Sequence, residues 1–162
     1  MELNREQLLL LNRINNRLLF KLFSIVKLPL AFLTGLKIVK FNGDECITSV
    51  RLKYLNKNPF RSTYFAVLSM AAELSTGAIA LLAAEGRHPS VAKIITSMKA
   101  DFVKKATGRT KFTCTEGKKL FCAIDKAIAS KESQVETVSS VGCDESGDVV
   151  AHFEFTWSFK QR

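Results

Sequence analysis

Residues 64–84 constrain this chain more than any other stretch. They read Tyr64-Phe65-Ala66-Val67-Leu68-Ser69-Met70-Ala71-Ala72-Glu73-Leu74-Ser75-Thr76-Gly77-Ala78-Ile79-Ala80-Leu81-Leu82-Ala83-Ala84. Helix formers dominate, and apolar residues fall on every side of the helical projection. A helix of that kind is buried on most sides, so the rest of the chain must wrap around it. Ser62 or Thr63 is the expected N-cap, and Gly86 the expected stop. Glu73 is the one Asp, Glu, Lys, Arg or His between Arg61 and Glu85. Burying a lone carboxylate is costly, so it must be paired, exposed at a cleft, or used.

The wrapping material reads mostly as strand. Residues 36–41 and 46–55 flank Asn42-Gly43-Asp44, a hairpin signal because Asn and Gly tolerate positive φ. In the second of these, Val50, Leu52 and Tyr54 alternate with Arg51 and Lys53. Residues 92–103 place Ile94, Met98, Ala100 and Phe102 on one face, opposite Lys93, Ser97, Lys99 and Asp101. Gly108 turns the chain into 109–115, and 118–130 reads as a short amphipathic helix. Segments 134–143 and 149–159 form a closing hairpin. Its last strand alternates cleanly: Val149, Ala151, Phe153, Phe155, Trp157 and Phe159 against His152, Glu154, Thr156 and Ser158. Residues 3–26 read as one amphipathic helix with a wide apolar stripe, ended or kinked by Pro29. The expected fold is α+β: one domain, 1–162, with a six-stranded, mainly antiparallel sheet against a long central helix. Residues 1–30 form an N-terminal helical extension.

Charge and composition narrow the function. Lys and Arg number 24 against 15 Asp and Glu, a formal net charge of +9. Residues 1–61 carry 11 basic and 4 acidic groups, so the excess is mostly N-terminal. It suits a phosphate-bearing ligand or an anionic surface. Nucleic-acid binding is not expected, because the aromatics occupy buried-strand positions. The window 18–36 contains Lys21, Lys27 and Pro29, so no membrane span is read there; weak surface association stays open. Cys46, Cys114, Cys122 and Cys143 lack metal or redox spacing and are read as free thiols of a cytoplasmic protein. His88 and His152 are read as surface residues, so Ser69 and Ser75 have no triad partner. No metal or redox cofactor is expected.

Resemblance sharpens this reading. A central apolar helix wrapped by an antiparallel sheet is similar to the hot-dog architecture. In the phenylacetyl-CoA and hydroxybenzoyl-CoA type of hot-dog thioesterase, an Asn lies six residues before a His-Gly-Gly that opens the central helix. An acid follows nine residues after that His. Here Asn58 matches the Asn, Tyr64-Phe65-Ala66 stands in place of His-Gly-Gly, and Glu73 matches the acid. Residues 58–77, with Leu28-Pro29-Leu30 and Thr156-Trp157, also resemble a less characterised bacterial group of thioesterase-like hot-dog proteins.

The resemblance implies hydrolysis of an acyl-CoA or acyl-carrier thioester, CoA entering only as part of the substrate. Glu73 would activate water or attack the carbonyl, with Asn58 orienting. First-turn amides near Tyr64, Phe65 and Ala66 would hold the oxyanion, since a helix N-terminus offers unpaired N–H groups. Arg61, Ser69 and Arg109 are substrate-binding candidates; Arg87, Lys104 and Lys105 are further candidates for a basic phosphate rim. A homodimer or tetramer, with sheets joined edge to edge and the site shared between protomers, completes the expectation. Three alternatives stand beside it. Glu73 is ion-paired to Arg51, Arg61 or Arg109 and idle; the domain binds acyl groups without hydrolysing them; or the basic N-terminal helix makes the protein a surface-bound oligomer.

Overall fold

The computed structural model describes residues 2–162. Three helices open the chain: α1 (Arg5–Asn15), α2 (Arg17–Lys27) and α3 (Pro29–Thr34). Strands β1 (Lys37–Phe41) and β2 (Cys46–Arg51) precede the central helix α4 (Phe65–Ala84). Strands β3 (Val91–Phe102) and β4 (Arg109–Cys114), helix α5 (Gly117–Ser130), and strands β5 (Gln134–Cys143) and β6 (Val149–Gln161) follow. All six strands join one antiparallel sheet in the order β1-β2-β4-β5-β6-β3. Helix α4 lies across β2, β4, β5 and β6, with α5 beside it. This is the hot-dog arrangement expected from the sequence.

The local chemistry explains each element. At the β1–β2 turn Gly43 takes φ 90°, and the Asn42 side chain accepts from the Asp44 and Glu45 amides at 3.2 and 2.9 Å. Along β6, Ala151, Phe153, Phe155, Trp157 and Phe159 are buried and His152 and Glu154 exposed, so the alternation puts one face in the core. Helix α4 is long and apolar enough to cross a membrane, but it is the buried core helix of this sheet. Side-chain hydrogen bonds pin it there: Thr48 Oγ1 donates to the Ala71 carbonyl at 2.6 Å, and Trp157 Nε1 to Thr76 Oγ1 at 3.3 Å.

Five expectations need correction. The helix expected over 3–26 is two helices, because the Asn16 side chain accepts from the Leu18 and Leu19 amides and starts α2 afresh. Pro29 does more than end that run: it occupies the first turn of α3, where it lacks no needed donor. Strand β2 stops at Arg51, and Tyr54–Asn56 forms a 3-10 turn around buried Asn56. Asn56 accepts from the Lys53 amide and donates to the Thr34 and Arg51 carbonyls, which ends the alternation at Leu52. Strand β3 carries a bulge between Ile95 and Ser97 that switches its faces. Lys93, Ile95, Met98, Ala100 and Phe102 therefore share the inner face with Phe155 and Trp157. Ile94 pairs with Ser158 on the outer one.

Finally, neither Ser62 nor Thr63 caps α4. The Ser62 hydroxyl donates to Asn58 Oδ1 at 3.2 Å, and Tyr64 occupies the cap position with no side-chain bond. At the other end Glu85 is the C-cap and Gly86 follows at φ 61°. Asn4 and Gln7 of the α1 cap region donate to the Glu85, Gly86 and Ala83 carbonyls there.

Candidate functional site

Two features of α4 mark its surface. The first is an open stripe. Ala66, Ser69, Met70, Glu73, Leu74, Gly77 and Leu81 recur at helical spacing and are only partly covered, whereas the other residues from Val67 to Ala83 are buried. Glu73 sits mid-stripe. It makes no ion pair or side-chain hydrogen bond with another described residue. Burial pushes its carboxyl above the ordinary 4.5. Gly77, one turn on, makes the room: a Cβ there would lie 2.5 Å from Glu73 Oε1 and 3.5 Å from the Trp157 ring. The carboxylate and the Trp157 ring thus both approach the Gly77 position of α4.

The second feature is the N-terminus of α4. The Tyr64 amide donates to the Asn56 carbonyl and the Val67 amide to the Tyr64 carbonyl. The Phe65 and Ala66 amides precede the first intrahelical bond and have no side-chain cap. Beside this helix start is a cleft of about 590 Å³ lined by Asn58, Thr63, Tyr64, Phe65, Phe102 and Lys105, among others. Phe65 packs edge-on to Tyr64 at 4.9 Å and to Phe102 at 6.3 Å.

Asn58 lines the same cleft, but its carbonyl oxygen is engaged. It accepts from the Phe60 and Ser62 amides at 3.0 and 3.1 Å and from the Ser62 hydroxyl, so it holds the loop in shape. Its side-chain N–H₂ remains a donor. Arg61 adopts φ 61° and lines an adjoining hollow of about 450 Å³ with Lys53 and Lys57. None of these three cations is ion-paired among the described residues, although Lys57 Nζ sits 4.4 Å from the Tyr54 ring centre. Arg109 lies elsewhere, at the start of β4, 3.6 Å from Glu145. Arg87 pairs with Asp125, and Lys104 with Asp144 and Asp148. The Ser69 hydroxyl donates back to the Phe65 carbonyl at 3.0 Å.

The structure therefore gathers Asn58, Tyr64, Phe65 and Ala66 at one end of α4, puts Arg61 beside them, and leaves Glu73 apart. Nine residues of helix separate Tyr64 from Glu73, about 13 Å at 1.5 Å per residue. Thr63 is the residue that sequence reasoning missed. Its hydroxyl is the one buried side-chain polar atom without a partner among the described residues, and it lines the cleft. A threonine before a helix reads as a cap, so nothing local signalled this.

A six-stranded antiparallel sheet wrapped around one long buried helix defines a protein of the hot-dog fold. The chain belongs to the family described as Domain of unknown function (DUF4442), which matches residues 16–159. No curated protein matches it. Among solved structures it is similar to a protein of unknown function from Pseudomonas aeruginosa described as a probable thioesterase. The two are 18% identical, with a TM-score of 0.75 over 88% of this chain and 93% of that one. A Haemophilus influenzae thioesterase gives 12%, 0.63, 86% and 88%; a mutant thioesterase from Pseudomonas aeruginosa gives 12%, 0.68, 94% and 94%. At such identities the likeness is one of fold.

Proposed function

We propose that this protein hydrolyses an acyl-CoA or acyl-carrier thioester, with Glu73 as the working carboxylate. The observation that carries the reading is Glu73 itself: partly open, unpaired, its carboxyl pushed above the ordinary range, and given room by Gly77. A carboxylate so tuned suits proton abstraction from water near neutral pH. Water attacks the thioester carbonyl, Glu73 takes its proton, and the thiol leaves with a proton as the acid forms. Direct attack by Glu73 on the carbonyl is the other route open to the same group. The Phe65 and Ala66 amides supply two donors for the oxyanion, and the Asn58 N–H₂ a third. Lys53, Lys57 and Arg61 form a basic rim suited to the phosphates of CoA.

The separation along α4 favours a shared site. One protomer's Glu73 is out of reach of its own Asn58 and helix start, so we propose that a second protomer supplies them in a homodimer or tetramer. The faces left open agree with this. Met98 and Phe102 are about half exposed on the inner face of β3, beside the open stripe of α4. Strand β3 is a sheet edge, and edges left unpaired invite a partner.

A second reading, acyl binding without hydrolysis, has one observation in its favour. Tyr64 and Phe65 place bulk next to the free amides, where glycines would let a substrate carbonyl approach closely. Thiol release from short, long and aromatic acyl-CoAs separates the two. Hydrolysis of any member by the native protein, lost in Glu73→Gln while ligand binding persists, is the expected result. Ligand binding without turnover would support the second reading and overturn the first.

A further inference from the structure

Helix α2 is turned inside out relative to an ordinary surface helix. Of its 11 residues only one is buried, and that one is Ser24. Leu18 and Val26 are 65% and 73% exposed. At helical spacing Leu18, Leu22 and Val26 share the outward face, while Phe20 and Ser24 face the protein. Arg17 and Lys21 fall on one margin of that apolar face and Lys27 on the other. Helix α3 continues the pattern, burying Ala31 and Thr34 while Leu30 and Leu33 stay exposed. Soluble proteins rarely leave so continuous an apolar patch bare, so it has an occupant.

Charge selects the occupant. Between Glu6 and Asp44 the chain has six Lys or Arg and no Asp or Glu. Of these six, Lys40 alone is ion-paired, to Glu45, among the described residues. A second copy docking here by two-fold symmetry would bring two basic patches together with no acid from 7 to 43 to pair them, which repels. A bilayer with anionic headgroups satisfies both halves of the pattern: leucines and valines enter the acyl boundary while the basic stems reach back to phosphate. We infer that α2 and α3 seat this protein on an anionic phospholipid surface. The inference stands apart from the proposed hydrolysis. The hydrogen bond from Asn56 to Thr34, 3.2 Å, ties α3 to the loop that leads to Asn58.

Co-sedimentation of the full chain with phosphatidylcholine–phosphatidylglycerol vesicles tests this, with pure phosphatidylcholine vesicles alongside. Binding is expected to the anionic vesicles and to fall steeply with added salt. Leu22→Glu/Val26→Glu should weaken it about tenfold or more, and Lys21→Gln/Lys27→Gln about tenfold. Both pairs are exposed, so an unchanged thermal midpoint verifies folding. Three results would overturn the inference. The native chain fails to sediment with anionic vesicles; the Leu22→Glu/Val26→Glu protein binds as well as the native one; or that substitution dissolves an oligomer while neither protein binds vesicles.

Discussion

Glu73 concentrates the chemistry of this chain, and its environment makes two statements, one about stability and one about turnover. The first concerns pH. Its carboxyl is held above the ordinary 4.5 by burial. Below 4.5 the group is protonated folded or unfolded. As pH rises through the window between 4.5 and the raised value, the unfolded chain releases the proton first, so folding stability falls. Above that window the cost of a half-buried charge persists in full. Glu73→Gln keeps the shape and removes the charge. Its thermal midpoint should exceed that of the native protein at pH 7 and match it near pH 4. A midpoint lower than native at pH 7 would reveal an ion pair with Glu73. The second statement concerns Gly77. An alanine there gains about 1 kcal/mol of helix propensity, yet its methyl collides with Glu73 Oε1. The side chain is flexible, so the carboxylate moves and the helix does not. Gly77→Ala should melt no lower than native and lose about tenfold in turnover, because small misplacements of a reacting group are costly. Undiminished turnover would show that the placement of this carboxylate is irrelevant. The lone acid was legible in the sequence because no other Asp, Glu, Lys, Arg or His occurs from Ser62 to Ala84. Its freedom from arginine was not: Arg51 and Arg61 are near in sequence, and only the register of β4 and β5 takes Arg109 to Glu145.

The central helix shows how elements are joined. Ser75 Oγ donates to the Ala72 carbonyl at 2.7 Å and meets Ser140 Oγ of β5 at 2.8 Å, both residues fully buried. Ser75→Ala strips Ser140 of its described partner and should destabilise the protein by about 1–3 kcal/mol in urea unfolding. Adding Ser140→Ala removes the orphaned hydroxyl, so the double substitution should cost less than the two singles summed. Additive costs would mean that the hydroxyls do not depend on each other. Period and composition made α4, α5, β5 and β6 readable, because each buries one clear face or all faces. The misreadings share a physical cause. Asn16 interrupts a continuous apolar pattern with a cap, Asn56 ends a strand by taking its backbone partners, and Thr96 lies in a bulge that moves Ile94 to the other face. Each is a backbone event that leaves the apolar alternation intact, so alternation alone does not reveal it.

At the scale of the whole molecule, the turn at Gly108 does not make β3 and β4 neighbours, because β3 pairs with β6 at the sheet edge; the pairings within reach of the sequence were those of the hairpins at 42–45 and 144–148. The partly open stripe on α4 and the bare inner face of β3 were not, since alternation says which residues want burial and not whether one chain provides it. Our account assigns that cover to a second protomer. Met98→Glu, at a half-exposed inner position of β3, should shift the protein toward monomer in light scattering and abolish turnover with it. A dimer unaffected by the substitution would place the interface elsewhere. The central claim is that Glu73, in a hot-dog frame, drives thioester hydrolysis. It is tested most directly by thiol release from acyl-CoA as a function of pH, native protein against Glu73→Gln. The account predicts a native rate that rises through an inflection above 4.5 as the carboxylate forms, and a loss of about 10²-fold or more in the variant. A Glu73→Gln protein that retains the native rate and the native profile would contradict it.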